Sequence, residues 1–118
     1  MQKYSFEEVK DRIAKLISLG SIPEVSLFMY DNEYMIIVFR DSTVSFQRCG
    51  NYDEGSGELY YDTLDELYNS VTVDGILLKR NWDDITEIYS DNHMWDYTEE
   101  EYQAALVNWK EVSKKYNY

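Results

Sequence analysis

The stretch VSLFMYDNEYMIIVFRDSTVSFQR, residues 25–48, decides the fold. Val25–Tyr30 and Tyr34–Phe39 are strand-like runs on either side of Asp31-Asn32-Glu33, a short polar turn, and together they read as a hairpin. Asp41-Ser42 then turns the chain into a third run, Thr43–Arg48, where Val44, Phe46 and Arg48 alternate with Thr43, Ser45 and Gln47. The middle run, Met35 to Phe39, is apolar at every position, so both its faces need cover and it belongs in the centre of the sheet. Gly50–Gly57 is a loop on composition, and Glu58–Tyr61 is a candidate fourth strand.

Upstream, the spacing of Phe6, Val9, Ile13, Leu16 and Ile17 predicts an amphipathic helix over about Ser5–Leu19. Ser5 and Glu8 form a capping box, and Gly20 with Pro23 ends the helix. Glu8 with Arg12 and Asp11 with Lys15 are spaced as i,i+4 pairs on its wet side, and the helix reads as scaffold. Downstream, Thr63 to Glu66 is a second capping box, opening a short helix to about Asn69. Beyond it two readings stay open. Leu78, Trp82, Ile85 and Tyr89 fit helical spacing, whereas Ile76–Lys79 could pair with Val71–Val73 across the Asp74-Gly75 turn; a short hairpin followed by a helical turn near Asp83–Ile88 is the preferred one. Ser90–Tyr97 is irregular. Thr98 to Glu101 is a third capping box, and the last helix runs to about Lys115 with Tyr102, Ala105, Leu106, Trp109, Val112 and Tyr116 as its buried face. The expected architecture is α+β: an N-terminal helix, a three- to four-stranded antiparallel meander, short helical elements and a C-terminal helix, in one acidic globular domain over 1–118.

Twenty-three acids against eleven bases leave a net charge of −12, and the excess is localised. Residues 1–49 are nearly balanced, with seven acids and six bases, whereas residues 50–109 hold fifteen acids and only Lys79 and Arg80. A field of that sign repels nucleic acid and anionic membrane and attracts a basic surface. A partner that itself binds nucleic acid is the natural candidate, because its basic groove suits a negative surface; service to solubility alone is the competing reading. Like charge also opposes homodimerisation at low salt, so a monomer is expected. No apolar run approaches 18 residues, the first residues lack the apolar segment of a signal peptide, and the single Cys49 cannot form an internal disulfide, which together point to a cytosolic protein.

Little in the sequence points to catalysis. Cys49 and the only histidine, His93, carry no local signature of a nucleophile with its base. Cys49, His93, Asp91 and Asp96 could ligate zinc only through tertiary contact, lacking the spacing of a metal motif, so no cofactor is expected. Adjacent carboxylates such as Asp83-Asp84 carry no information in a chain this acidic. What stands out is the interleaving of acids with aromatics. Asp53, Glu54, Asp62, Asp83, Asp84, Asp91, Asp96, Glu99 and Glu100 would supply charge to a partner-binding face, and Tyr52, Tyr60, Trp95 and Tyr97 would anchor it, with Trp82 assigned to the core. Tyrosine and tryptophan bury large area at low entropic cost, and carboxylates beside them take bidentate hydrogen bonds from arginine as a phosphate does.

The tract from Leu59 to Ile88 carries a resemblance. Leu59-Tyr60-Tyr61-Asp62, Val71-Thr72-Val73-Asp74-Gly75 and Asp83-Asp84-Ile85-Thr86-Glu87-Ile88 resemble small proteins of phages and prophages in low-GC bacteria, and are similar to a tract in one type of anti-CRISPR protein that inhibits Cas9. The resemblance implies a non-enzymatic inhibitor of a guide-loaded nuclease, which either occupies the positively charged channel and PAM-reading site or braces a lobe so that the duplex is not accepted. The alternative is an immunity protein that neutralises a bacterial nuclease toxin with the same acids.

Overall fold

Alternation in the three central runs is converted directly into a sheet. The computed structural model describes residues 4–50, 58–92 and 95–116. Strands β1 (Glu24–Met29), β2 (Asn32–Val38), β3 (Val44–Arg48) and β4 (Leu59–Tyr61) form the antiparallel meander, and a further strand, β5 (Glu87–Tyr89), pairs antiparallel with β1. The order is β4-β3-β2-β1-β5, so β2 is central as its composition requires. The β1–β2 turn lies one residue earlier than the polar triplet implied: Met29 pairs with Asn32, leaving Tyr30 and Asp31 as a two-residue loop with φ of 55° and 60°. Two positive φ values match the twist of a hairpin better than a three-residue polar link. At the β2–β3 turn Asp41 accepts both the Thr43 N–H at 3.0 Å and the Thr43 hydroxyl at 2.6 Å.

Register separates the sheet into two unlike faces, because side chains alternate and directly paired residues share a face. Val25, Leu27, Met29, Tyr34, Ile36, Val38, Val44 and Phe46 are buried together with Phe6, Val9, Ile13 and Leu16 of helix α1 (Phe6–Ser18) and with Leu64 and Leu67 of α2 (Leu64–Tyr68). The half-exposed hydrophobics that pack on this core are Tyr4, Tyr61 and Tyr68. Phe28, Met35 and Ile37, at the alternate positions, do not join it.

The capping chemistry reads out as its sequence predicts at both ends of the chain. Ser5 and Glu8 make the reciprocal box at α1, and Thr98 and Glu101 make it ahead of α4 (Glu99–Tyr116). At α2 only half forms: Thr63 accepts the Glu66 N–H, but Glu66 reaches back to the N–H of Asp62. Gly20 closes α1 with paired bonds from its own N–H to Ile17 and from Ser21 N–H to Leu16, at φ of +81°.

Residues 70–90 resolve the two open readings by dividing them. Val71 bridges Leu77 around the Asp74-Gly75 turn, as the hairpin reading holds. The helical turns that follow are α3 (Leu78–Asn81) and a 3-10 turn at Trp82–Asp84, earlier than 83–88, and the chain then extends into β5. Thr86 N–H and hydroxyl both reach Phe28 O, at 2.7 and 3.0 Å, capturing the free edge of β1. Asp74, itself at φ 58°, accepts the Tyr34 hydroxyl at 2.8 Å and faces Arg48 at 3.3 Å, which ties this hairpin to β2 and β3. Burial and then this hydrogen bond push the Tyr34 phenol up to about 12.

The expected buried face of α4 is a correction. Its 18 residues include none that is buried; Tyr102, Ala105, Leu106, Trp109 and Val112 are half-buried and Tyr116 is 58% exposed. The helix has the right period but too little to pack on, since the sheet's core face is already filled by α1. Its Trp109 rests on Gly20, where a Cβ would lie 2.6 Å from Cζ2 of the indole ring. The molecule is accordingly elongated, 45 × 31 × 24 Å. No helix among the described residues is long and apolar enough to cross a membrane.

Two outcomes follow for stability. Gly20→Ala combines a left-handed backbone with a steric clash and should lower stability by about 1–2 kcal/mol, read by thermal unfolding; an unchanged Tm would show that Trp109 does not rest there. Tyr34→Phe should cost about 1 kcal/mol at pH 7. Because the fold holds the neutral phenol, the native contribution is complete below pH 10 and is lost as pH rises toward about 12, so the stability of the wild type to urea should fall more steeply across that window than that of the variant, in which Tyr4 and Tyr61, also raised, still titrate.

Candidate interaction surface

A buttress of three side chains fixes the geometry of the acidic segment. Arg12 projects from α1 with its guanidinium 4.7 Å from the Tyr4 ring centre and 5.7 Å from that of Trp95, and it donates to the Trp95 carbonyl. Tyr4 meets Trp95 edge-on at 5.6 Å and gives its hydroxyl to Asp96 at 3.1 Å. Trp82 Nε1 donates to the Tyr4 carbonyl at 2.9 Å, so the residues before α1 are bound from both sides. Trp95 is therefore 3% exposed and part of the core rather than an anchor. An irregular stretch read alone suggests exposure; a cation and a ring arriving from residues more than 80 positions away reverse it.

Beyond the buttress, Lys15 holds two carboxylates, Asp11 at 3.0 Å and Glu99 at 2.8 Å, and Ser18 meets Tyr102 at 2.6 Å. These contacts latch the start of α4 to α1. The Lys15 hydrogen bond, followed by that of Gln103, holds the Glu99 carboxyl below its ordinary range, and the Ser5 backbone and hydroxyl do the same for Glu8.

Two clefts flank α1. One, of about 350 Å³, is lined by Glu7, Glu8, Asp11 and Glu99 together with Arg12, Lys15, Trp95 and Tyr97. The other, of about 340 Å³, is lined by Glu7, Tyr68, Trp82 and Asp83 with Lys79 and Arg80. Glu7 borders both. Asp83 and Glu99, separate in sequence, are thereby linked through Glu7 and Asp11 into one carboxylate-bearing ridge, whose clefts also hold Arg12, Lys15, Lys79 and Arg80.

Of the residues singled out from sequence, Asp83 and Glu99 are exposed on this ridge and Tyr97 is half-buried in the first cleft, while Asp84, Asp96 and Glu100 are exposed but line neither cleft. Asp84 also accepts the Tyr30 hydroxyl. Asp62, exposed ahead of α2, and Tyr60 and Asp91, at opposite edges of the sheet, lie elsewhere. Tyr52, Asp53, Glu54 and His93 fall outside the described residues. Cys49 is half-buried, and burial and then Glu33 push its thiol up. Among the described residues no group of three or more histidine, cysteine or carboxylate side chains is placed to hold a metal ion. Glu7 and Asp11 were missing from the sequence-based set, because acids in the first turns of a capped helix are accounted for by its dipole and by i,i+4 pairing.

Comparison with protein-family models, with curated proteins and with solved structures finds no match to the chain.

Arg12→Ala should remove both ring contacts and the carbonyl bond, costing about 2 kcal/mol and red-shifting tryptophan emission as Trp95 meets water. Arg12→Lys should restore little, since an ammonium cannot stack as a planar guanidinium does. Full retention of stability in either variant would remove the buttress from this account.

Proposed function

We propose that this protein is a non-enzymatic inhibitor that binds the basic nucleic-acid channel of a guide-loaded Cas9 nuclease in the bacterial cytoplasm and keeps target DNA out. The observation that carries this reading is the ridge running from Asp83 through Glu7 and Asp11 on α1 to Glu99 at the start of α4, four carboxylates bordering two clefts, of which Asp11 and Glu99 are held in place by Lys15. Fixed carboxylates on a preformed scaffold present to arginine the same bidentate chemistry as phosphates, without the ordering cost of a flexible tail. Cas9 is proposed as the particular nuclease on the resemblance of residues 59–88 to an anti-CRISPR protein. A standard interface takes about 800 Å² from each partner, a modest share of the 7409 Å² exposed by this chain.

Binding to guide-loaded Cas9, with and without PAM-containing duplex and over roughly 50–500 mM salt, tests the reading. The expected result is tight, strongly salt-dependent binding that excludes the duplex. Glu7→Lys combined with Asp83→Lys should weaken it at least tenfold while leaving Tm within a few degrees. Normal inhibition by that folded variant would reduce the ridge to a solubility surface. Absence of binding at any salt would remove Cas9, leaving neutralisation of a basic nuclease toxin as the reading to pursue.

A further inference from the structure

The face of the sheet turned away from the core has a composition of its own. Its strand positions run in rows across the register: Tyr60, Ser45, Ile37 and Glu24; then Gln47, Met35, Ser26 and Tyr89; then Glu33, Phe28 and Glu87. Phe28, Met35 and Ile37 form a half-exposed apolar centre, and no lysine or arginine occupies any of these positions. Ser45 is fully buried between Tyr60 and Ile37 with its hydroxyl unpartnered. The two edge strands carry matching pairs. On β5 the Tyr89 hydroxyl meets Asp91 at 2.5 Å; on β4 the Tyr60 hydroxyl is held by Glu58. Both rings are exposed, at 51% and 64%.

We infer that this outer face docks a cationic amphipathic helix of a protein partner that crosses the strands from β4 to β5, its apolar stripe on Met35 and Ile37 with Phe28 at its margin and a basic side chain at each end seated on a tyrosine ring beside that ring's carboxylate. Three features select this occupant. A second copy of the chain, or a nucleic acid, would bring negative charge against Glu24, Glu33 and Glu87, whereas a basic helix complements them. An added strand would find few free main-chain groups, since both edge strands are three residues long. A helix is instead the ordinary cover for a sheet face; here the placement of the two tyrosines sets its axis across the strands. The ring-and-carboxylate pairs lie about 20 Å apart, from four inter-strand spacings and one row. On a helix that span is roughly 14 residues at 1.5 Å each, which returns to nearly the same side. An exposed phenol face with a carboxylate beside it attracts arginine or lysine through both the ring quadrupole and direct charge.

This inference does not rest on the acidic ridge, and its test separates the two. The probe is a blocked 18-residue peptide with a leucine stripe and arginines 14 residues apart on its flank, titrated into the full-length protein in 150 mM salt. A peptide of the same composition with the pattern scrambled serves as control. Expected are micromolar binding with induced helicity, amide shifts centred on Phe28, Met35 and Ile37, and at least tenfold weaker binding both for the scrambled peptide and for the Tyr60→Ala/Tyr89→Ala protein. Glu7→Lys/Asp83→Lys should change the affinity less than twofold. Equal binding of the scrambled peptide, shifts confined to α1 and residues 95–102, an unaffected tyrosine double variant, or no binding at 1 mM peptide would each overturn the assignment.

Discussion

Strand β2 is apolar on both faces and hydrogen-bonded on both edges, and the rest of the molecule is arranged around what it can cover. Tyr34, Ile36 and Val38 direct the helices to one side, where α1 and α2 close the core. With α1 on that side, Met35 and Ile37 stay half-exposed on the other, and no residue of α4 is buried. A sheet with one finished face and one half-finished face is a common compromise in antiparallel folds. Here the unfinished face is apolar at its centre, acidic at its rim and aromatic at its edges, unlike the purely polar surface that solvation alone would favour.

Electrostatics is organised by the scaffold rather than by the acid-rich segment. Excess carboxylates between residues 50 and 109 would repel one another if left to local structure. The fold instead spaces them, using Lys15 to hold Asp11 and Glu99 and Arg12 to fix the backbone at Trp95. Surface ion pairs of this kind contribute little stability individually. Their consequence is positional: α4 begins where its acidic first turn extends the row begun on α1. The same helix that supplies the core with Phe6, Val9, Ile13 and Leu16 thus presents Glu7 and Asp11 to two clefts.

Much of the fold was legible because its signals are local. A capping box, a 3.6-residue apolar period and a glycine stop define α1 within sixteen residues, and period-two alternation defines the meander and the central place of β2. Strand β5 was not legible, because Leu78, Trp82, Ile85 and Tyr89 do fit a helical period; pairing with β1, sixty positions earlier, overrides it through the bonds of Thr86 and the burial of Ile88. The turn at Tyr30-Asp31 was displaced by one residue from the polar triplet for a related reason, since twist matching between paired strands outranks composition.

For the candidate surface, the sequence by itself determined the sign of the charge, its concentration in one segment and its mixture with tyrosine and tryptophan, because these are properties of composition. Tertiary structure alone decided which of those groups are presented together. It withdrew Trp95 into the core beneath Arg12 and Tyr4, carried Tyr60 and Asp91 to opposite edges of the sheet, and enlisted Glu7 and Asp11 from a helix that reads as scaffold. Those outcomes depend on contacts spanning from 15 residues, as at Ser45 and Tyr60, to 92, as at Tyr4 and Asp96, and periodicity and capping, which act within one or two helical turns, carry no record of such contacts.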